Sequence, residues 1–581
     1  MATLFREVKY TLQSLINDID MGVVGLPDIQ RPFVWKDVKV RELFDSMYKG
    51  YPVGFLLLWA NANVEGSKHI GIDGKQKIPN LLIVDGQQRL TSIYAVVKGK
   101  EVIRENFVTE RIVISFKPLE ERFDIPDAAS RRSPEYIQDI SVLWQPDFKM
   151  HLYINQFIAK LEETRSLSED DKANIWDRIQ KVKNLEHYPF SALELSATIS
   201  EEDVSDIFVR INSQGKKLNQ ADFILTLMSV FWDEGRHQLE SFCRDSRLPN
   251  LDKASSFNYI LHPSPDQLLR VSIGLGFRRA VLRYVYSILR GKDLETGEFS
   301  EERREKQFER LKEAQNRVLH LTNWHEYLKC IQQAGYIKKD IISSPSTVIY
   351  VYIMYLIGKV DYGVDAYELR ELISKWFFMS LLTGRYTGSP ESQMEFDLSQ
   401  LRTVNTAEQF KETLCSIINT SFTKDYWDIV LPNNLATSSS SSPAMYAYYA
   451  SLNILNADGL FSKIKVSTLL QEGLRSKKSA LEIHHLFPRA FLNRIGVSGV
   501  QQVNQIANYA LVEWNDNLKI RDMPPSEYLQ HYIARFAPEQ LQQQYYWHAL
   551  PNGWENLDYD TFLKERRILI ANVIKDAFEK L

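Results

Sequence analysis

Two adjacent histidines constrain this chain more than any other feature. They lie in Glu482-Ile483-His484-His485-Leu486-Phe487-Pro488, a short apolar run closed by a proline, which cannot donate to a β-ladder. After a connecting segment comes Asn504-Gln505-Ile506-Ala507-Asn508-Tyr509-Ala510-Leu511-Val512, and Glu513 to Asn517 opens a helix-like segment. Eight residues separate Asn508 from Asn517. The pattern predicts a hairpin followed by a helix, with polar groups converging on one bound cation. Neighbouring residues on a strand point to opposite faces, so His484 and His485 cannot share one task. One can ligate a metal while the other activates water, and a neutral imidazole suits both tasks near neutral pH. Asn508 can hold a histidine ring by its side-chain amide. Asn517 can offer a carbonyl oxygen to a hard cation such as magnesium.

A second constraint is Leu81-Leu82-Ile83-Val84-Asp85-Gly86-Gln87-Gln88-Arg89-Leu90-Thr91-Ser92. Four apolar residues predict a strand buried on both faces, and a helix from Leu90 to Val97 follows at once. A strand end at a helix N-terminus is an anion site, because backbone N–H groups point outward there and the helix dipole favours negative charge. Gly86 lets the backbone approach a phosphate closely, and Arg89 adds a bidentate donor fork. Asp85 can hold a phosphate-bound magnesium or position water. A third stretch, Ile207 to Asn219, sets Gly215 beside Lys216 and Lys217 before a helix from Gln220 through Val230. It reads either as a phosphate-reaching loop or as a solvated basic turn.

The residues also carry a family resemblance. H-H-L-x-P, then Asn, eight residues and a second Asn, resembles the His-Me finger (HNH) nuclease motif. The closest form is the one at the C-terminus of GmrSD-type modification-dependent restriction proteins. The resemblance implies that His484 is a metal ligand, His485 the general base, Asn508 the residue that orients it and Asn517 the second ligand. It implies phosphodiester hydrolysis with one divalent cation, Mg2+ or Mn2+. Asp85 to Arg89, D-G-Q-Q-R, resembles the phosphate-binding motif of ParB/sulfiredoxin-like domains. With Pro27, Gln30-Arg31-Pro32, Tyr51-Pro52-Val53-Gly54 and Arg210-Ile211-Asn212-Ser213-Gln214-Gly215-Lys216, it is similar to the N-terminal domain of the same restriction family. This implies a nucleotide pocket built by Gln30, Arg31, Asp85, Gly86, Gln87, Gln88, Arg89, Arg210, Asn212 and Gly215. Asp85 would take part in hydrolysing the NTP, whether GTP, UTP, CTP or ATP. The family further implies defence against phage through sensing of modified DNA.

Three domains are expected: a ParB-like nucleotide-binding domain at 1–235, a helical middle domain at 236–436 and a nuclease domain at 437–581. The serine-rich stretch Thr437 to Pro443 stands at the last boundary, as a flexible linker or a surface loop. The expected fold class is α+β, predominantly helical, with a ParB/sulfiredoxin-like α/β domain first and a ββα-metal domain last. A net charge of −4 over 581 residues leaves no global basic signal, so DNA would have to meet a local patch. Lys463, Lys465, Arg475, Lys477, Lys478, Arg489, Arg494, Lys519 and Arg521 concentrate around the histidines; Arg489, Lys519 and Arg521 are the DNA-contact candidates. Arg385-Tyr386 pairs a phosphate-binding group with a stacking ring, although an ordinary loop anchor is the better reading. Three scattered cysteines with no C-x-x-C pair argue against structural zinc and fit a reducing compartment. Met1 to Glu7 lacks a signal-peptide core, and the most apolar run, Val348 to Gly358, is too short to span a bilayer. A cytoplasmic, membrane-free protein is expected, with its oligomeric state open.

The function expected from all this is an NTP-regulated, metal-dependent DNA endonuclease of anti-phage restriction. Three rivals remain. The chain could be a nucleotide-switched DNA-binding regulator with an inactive nuclease domain, a nuclease whose active site lies in the N-terminal domain, or a toxin that cuts RNA.

Overall fold

Apolar positions at Leu12, Leu15, Ile16 and Ile19 predict a helix over 9–20, but Val8 and Tyr10 alternate with charged neighbours in Phe5–Thr11, and this period of two makes a strand, β1, first. That helix, α1, starts only at Leu12, where Thr11 and Ser14 close a capping box, and runs Leu12–Asp20. The computed structural model describes residues 4–25, 33, 35–60, 80–104, 108–199, 204, 207, 220–250, 252–293, 296, 300–439, 441–470, 481–513, 520 and 522–581. They form two compact units, Met1–Asn219 and Gln220–Leu581.

In the first unit β2 (Val24–Gly25), α2 (Asp37–Tyr48), β3 (Leu56–Ala60), β4 (Leu81–Asp85) and α3 (Gln87–Lys98) follow α1. Helices α4 (Met150–Glu162) and α5 (Glu169–Lys183) then lead to β5 (Pro189–Leu195). The strands form one mixed sheet in the order β1-β5-β3-β4-β2. β1 is antiparallel to β5 and β3 to β4, whereas β3–β5 and β2–β4 are parallel. Alternate residues face opposite sides. Leu56, Leu58, Ile83 and Ala192 join the main core with α1, α2 and α3, while Leu57, Trp59, Val84 and Leu195 form a second cluster. The end of β4 is therefore apolar on both sides, as its sequence predicts.

The second unit is largely helical. Its main helices are α6 (Pro265–Phe277), α7 (Glu301–Val318), α8 (Leu321–Gln333), α9 (Pro345–Leu356), α10 (Ala366–Thr383), α11 (Pro443–Ile454) and α12 (Tyr559–Lys580). Among the described residues a single hairpin, β6 (Leu481–His485) with β7 (Tyr509–Glu513), lies between α11 and α12 in the chain. Helix α9 is buried at every position from Thr347 to Leu356, so the most apolar run of the chain is a core helix. No described helix is long and apolar enough to cross a membrane. The serine-rich stretch is an ordered surface loop at its described residues. Thr437 O accepts from Ile506 N–H at 3.0 Å, and Ser442 caps α11 by accepting from Met445 N–H at 3.2 Å. The better of the two readings of Arg385-Tyr386 holds: both side chains are anchored on the buried carboxylate of Asp397.

Beneath the hairpin, the fully buried ring of His548 hydrogen-bonds Asp458 O through Nε2 at 2.9 Å. Burial holds this imidazole at about 4, against 6.5 for an exposed one. The folded pKa is depressed, so the native state keeps the ring neutral while the unfolded chain takes up a proton below 6.5. Stability from this site is complete above that pH and is lost as pH falls toward 4, in total roughly 3 kcal/mol. His548→Gln, which keeps a donor for Asp458 O, is expected to flatten the melting-temperature profile between pH 6.5 and 4. A variant as acid-sensitive as the parent would contradict this.

Candidate functional site

The hairpin register pairs His484 with Ala510 and His485 with Tyr509. The strand alternation sends the two imidazoles apart. His484 turns inward and is 4% exposed, edge-on to the Tyr528 ring at 6.3 Å. His485 lies on the other face, partly buried, with its ring 5.0 Å from that of Tyr509. Its Nε2 meets Asn504 Oδ1 at 2.9 Å. An amide oxygen only accepts, so Nε2 carries the proton and Nδ1 keeps its lone pair. Burial lowers the His485 pKa and the charge of Arg489 pushes the same way, against the hydrogen bond that the ring donates to Asn504. The neutral, basic form is favoured near pH 7.

Asn508 does not hold the histidine ring, contrary to expectation. Its side chain is fully buried and grips backbone instead. Oδ1 accepts from Phe487 N–H at 2.8 Å, and Nδ2 donates to Phe487 O at 3.1 Å and Val503 O at 3.2 Å. The turn it clamps follows His485 directly, so Asn508 orients the imidazole only through the main chain. Other elements grip this turn and the far end of the β6–β7 connection. Tyr528 Oη donates to Leu486 O at 2.6 Å, Tyr559 Oη to Gln502 O at 2.9 Å, and the buried Arg566 of α12 donates to Ala507 O at 2.8 Å. The amide that touches the imidazole is Asn504, which the sequence reasoning missed. Its only signal was a second asparagine at the start of the Asn504–Asn508 run.

Arg489 is exposed at the start of the helix Arg489–Arg494, close enough to act electrostatically on His485. Arg494 is tied to Asp522 O at 2.7 Å. Asn517, Lys519 and Arg521 lie outside the described residues. Among the described residues no group of three or more His, Cys, Asp or Glu side chains could hold a metal ion. His484 supplies one imidazole nitrogen, and the second ligand expected beside it, Asn517, lies outside the described residues.

In the first unit the strand-turn-helix has the expected shape, with the helix beginning earlier, at Gln87. Gly86 sits at φ +95° as the N-cap, and no side chain caps α3. The first N–H groups of the helix thus have no capping side chain, the condition for an anion site. A Cβ on Gly86 would lie 2.4 Å from Leu56 Cδ2. Gly86→Ala is expected to cost about 2–4 kcal/mol, from the left-handed backbone and the clash with a fully buried leucine. A melting temperature equal to that of the parent would contradict this.

Arg89 departs from its expected role as a phosphate fork. Its guanidinium donates to Val53 O, to Phe55 O at 2.8 Å and to Asp85 Oδ2 at 3.2 Å. Gly54, at φ +89°, passes directly over it, where a Cβ would fall 2.6 Å from Nη1. Burial lowers the Arg89 pKa while Asp85 opposes the shift. Arg89 is therefore a clamp that fastens the loop before β3 to the start of α3. Gln87 is also turned back, donating to Ile83 O at 2.9 Å. Asp85, about one-third exposed and paired with Arg89, stands beside the uncapped first turn of α3, with Gln88 partly buried next to it. Gln30, Arg31, Arg210, Asn212 and Gly215 lie outside the described residues.

Comparison with known proteins bears on the first unit. Residues 12–229 match the family model of the GmrSD restriction endonuclease N-terminal domain. An uncharacterized protein of Methanocaldococcus jannaschii is 24% identical over 561 residues, covering 90% of this chain and 86% of that protein.

Proposed function

We propose, from the premise of that N-terminal match to restriction endonucleases, that the chain is a nucleotide-regulated, divalent-cation-dependent DNA endonuclease acting on modified phage DNA. The observation that carries the chemistry is the His485–Asn504 pair on a hairpin whose turn is clamped from several sides. Asn504 fixes the proton on Nε2, so Nδ1 can take a proton from the attacking water. Arg489, exposed beside it, meets a phosphate oxygen. His484 and Asn517 would hold the cation, which when bound supplies positive charge to the phosphodiester. In the first unit, Asp85 and the uncapped start of α3 would bind and hydrolyse a nucleoside triphosphate, with Arg89 keeping the site in shape.

The test is a cleavage assay with the full chain and Mg2+ or Mn2+. GTP, UTP, CTP and ATP are supplied in turn, on unmodified, hydroxymethylated, glucosylated and phosphorothioate DNA. Metal-dependent cutting that rises with one nucleotide and one modification is expected. Nucleotide-dependent DNA binding without any cutting would support the regulatory rival instead, and cutting confined to RNA the toxin. Arg89→Ala is expected to lower NTP hydrolysis and nucleotide-stimulated cutting together. If hydrolysis were abolished while cutting stayed the same with and without nucleotide, regulation by the first unit would be ruled out.

A further inference from the structure

Helix α7 carries Arg303, Lys306, Arg310 and Arg317 along one edge. At 3.6 residues per turn, Arg303, Arg310 and Arg317 fall within about 40° of one another, and Lys306 lies inside a sector of about 60° with them. All four are exposed, while Phe308, Leu311, Ala314, Gln315 and Val318 are buried. From Arg303 to Arg317 the row is about 21 Å long, at about 1.5 Å per residue.

An open groove of about 680 Å³ runs beside this edge, between α7 and the end of α6, lined in part by Gly276, Arg310, Glu313, Arg317, His320 and Asp361. The helices come close because Gly276 faces Ala314, where an added Cβ would lie 3.0 Å from the alanine Cβ. Of the two acids in the wall, Asp361 is paired with Arg278, which leaves Glu313 against Arg310 and Arg317. Arg303 makes one long pair with Asp293 at 3.5 Å. Among the described residues, Lys306, Arg310 and Arg317 have no carboxylate within salt-bridge distance. The edge thus sets four exposed cations against one long ion pair and one wall carboxylate, Glu313, a locally positive row that favours a partner carrying regularly spaced negative charge.

We propose that this edge of α7 and its groove track the phosphodiester backbone of duplex DNA. This rests on the DNA-cleavage reading above and adds a second contact surface to the hairpin. Duplex DNA presents one charge per about 1.7 Å of axis, so the length of the row spans about a dozen phosphates, ample for four cations.

The test uses the full chain carrying His485→Ala, so that DNA stays intact, and a fluorescent 30-base-pair duplex titrated at several salt concentrations. Adding Arg303→Gln, Lys306→Gln, Arg310→Gln and Arg317→Gln together is expected to weaken binding by about 100-fold or more at 0.1 M salt. The slope of log affinity against log salt should fall by about 3–4, close to 0.9 per lost phosphate contact. Lys312→Gln, on the opposite edge and paired with Glu309, should leave the slope alone. If the fourfold variant melts early, Lys306→Gln and Arg317→Gln singly should each remove about 0.9 from the slope. An unchanged slope overturns the assignment of α7 and leaves the nuclease reading standing, provided the parent chain cuts DNA. An equal loss with Lys312→Gln, or preference for an acidic polypeptide over DNA, overturns it as well. A parent chain that neither binds nor cuts DNA overturns both readings.

Discussion

His485→Ala is expected to lower DNA cleavage by about 10²- to 10⁴-fold, the usual contribution of a positioned general base. The ring is partly buried on a hairpin face and its one hydrogen bond goes to Asn504, so the variant should fold and bind DNA. The loss should appear in kcat. Asn504→Ala should cost less, about 10- to 100-fold, because the imidazole remains but its tautomer and orientation are no longer fixed. Asn504 is a positioning residue. Its removal should leave KM unchanged, and Asn504→Asp, which keeps an acceptor for Nε2–H, should recover part of the rate. A fall in melting temperature that accounts for the whole rate loss, with no rescue by aspartate, would make Asn504 merely structural.

Asp397→Ala is expected to be the most damaging single change to stability, at about 3–5 kcal/mol. The Asp397 carboxylate is wholly buried and takes both the Nε and Nη2 donors of Arg385. It also accepts from Tyr386 Oη at 2.6 Å and Gln393 Nε2 at 3.1 Å. Truncating it strands a guanidinium whose side chain is only 14% exposed and a hydroxyl that is fully buried. Replacing both ions, Arg385→Met with Asp397→Leu, should recover much of the loss, because the largest penalty is the charge left without its partner. Thermal and denaturant unfolding of the two variants would check this. A loss under about 1 kcal/mol for Asp397→Ala, or a double variant as unstable as the single, would show that the pair is not the anchor of this loop.

How far the sequence could be read depended on whether a contact was local. That His484 and His485 face opposite sides follows from strand alternation alone, and the burial of His484 against the partial exposure of His485 agrees with it. The partner of the imidazole did not follow. Asn504 and Asn508 are chemically identical, and only the short 3-10 turn Ile506–Asn508 decides which amide reaches the ring and which folds back on Phe487. The role of Arg89 departs from its sequence expectation for a related reason. Its position at a helix start is legible, but the carbonyls that capture it belong to Val53 and Phe55, more than thirty residues earlier. The strand β1 alternates plainly, yet the apolar spacing of Leu12, Leu15 and Ile16 just after it predicts a helix start three residues too early. The buried nature of α9 was readable because a helix apolar on every side has nowhere to lie except a core.

The central claim is that bond cleavage belongs to the hairpin of the second unit and nucleotide chemistry to the first. The most direct measurement is single-turnover cleavage of one modified duplex by His485→Ala and Asp85→Ala side by side, with Mg2+ and without added nucleotide. Cutting should vanish in the first and persist at its basal rate in the second. Cutting that survives loss of the imidazole and fails with Asp85→Ala would place the scissile chemistry in the N-terminal unit and contradict the account.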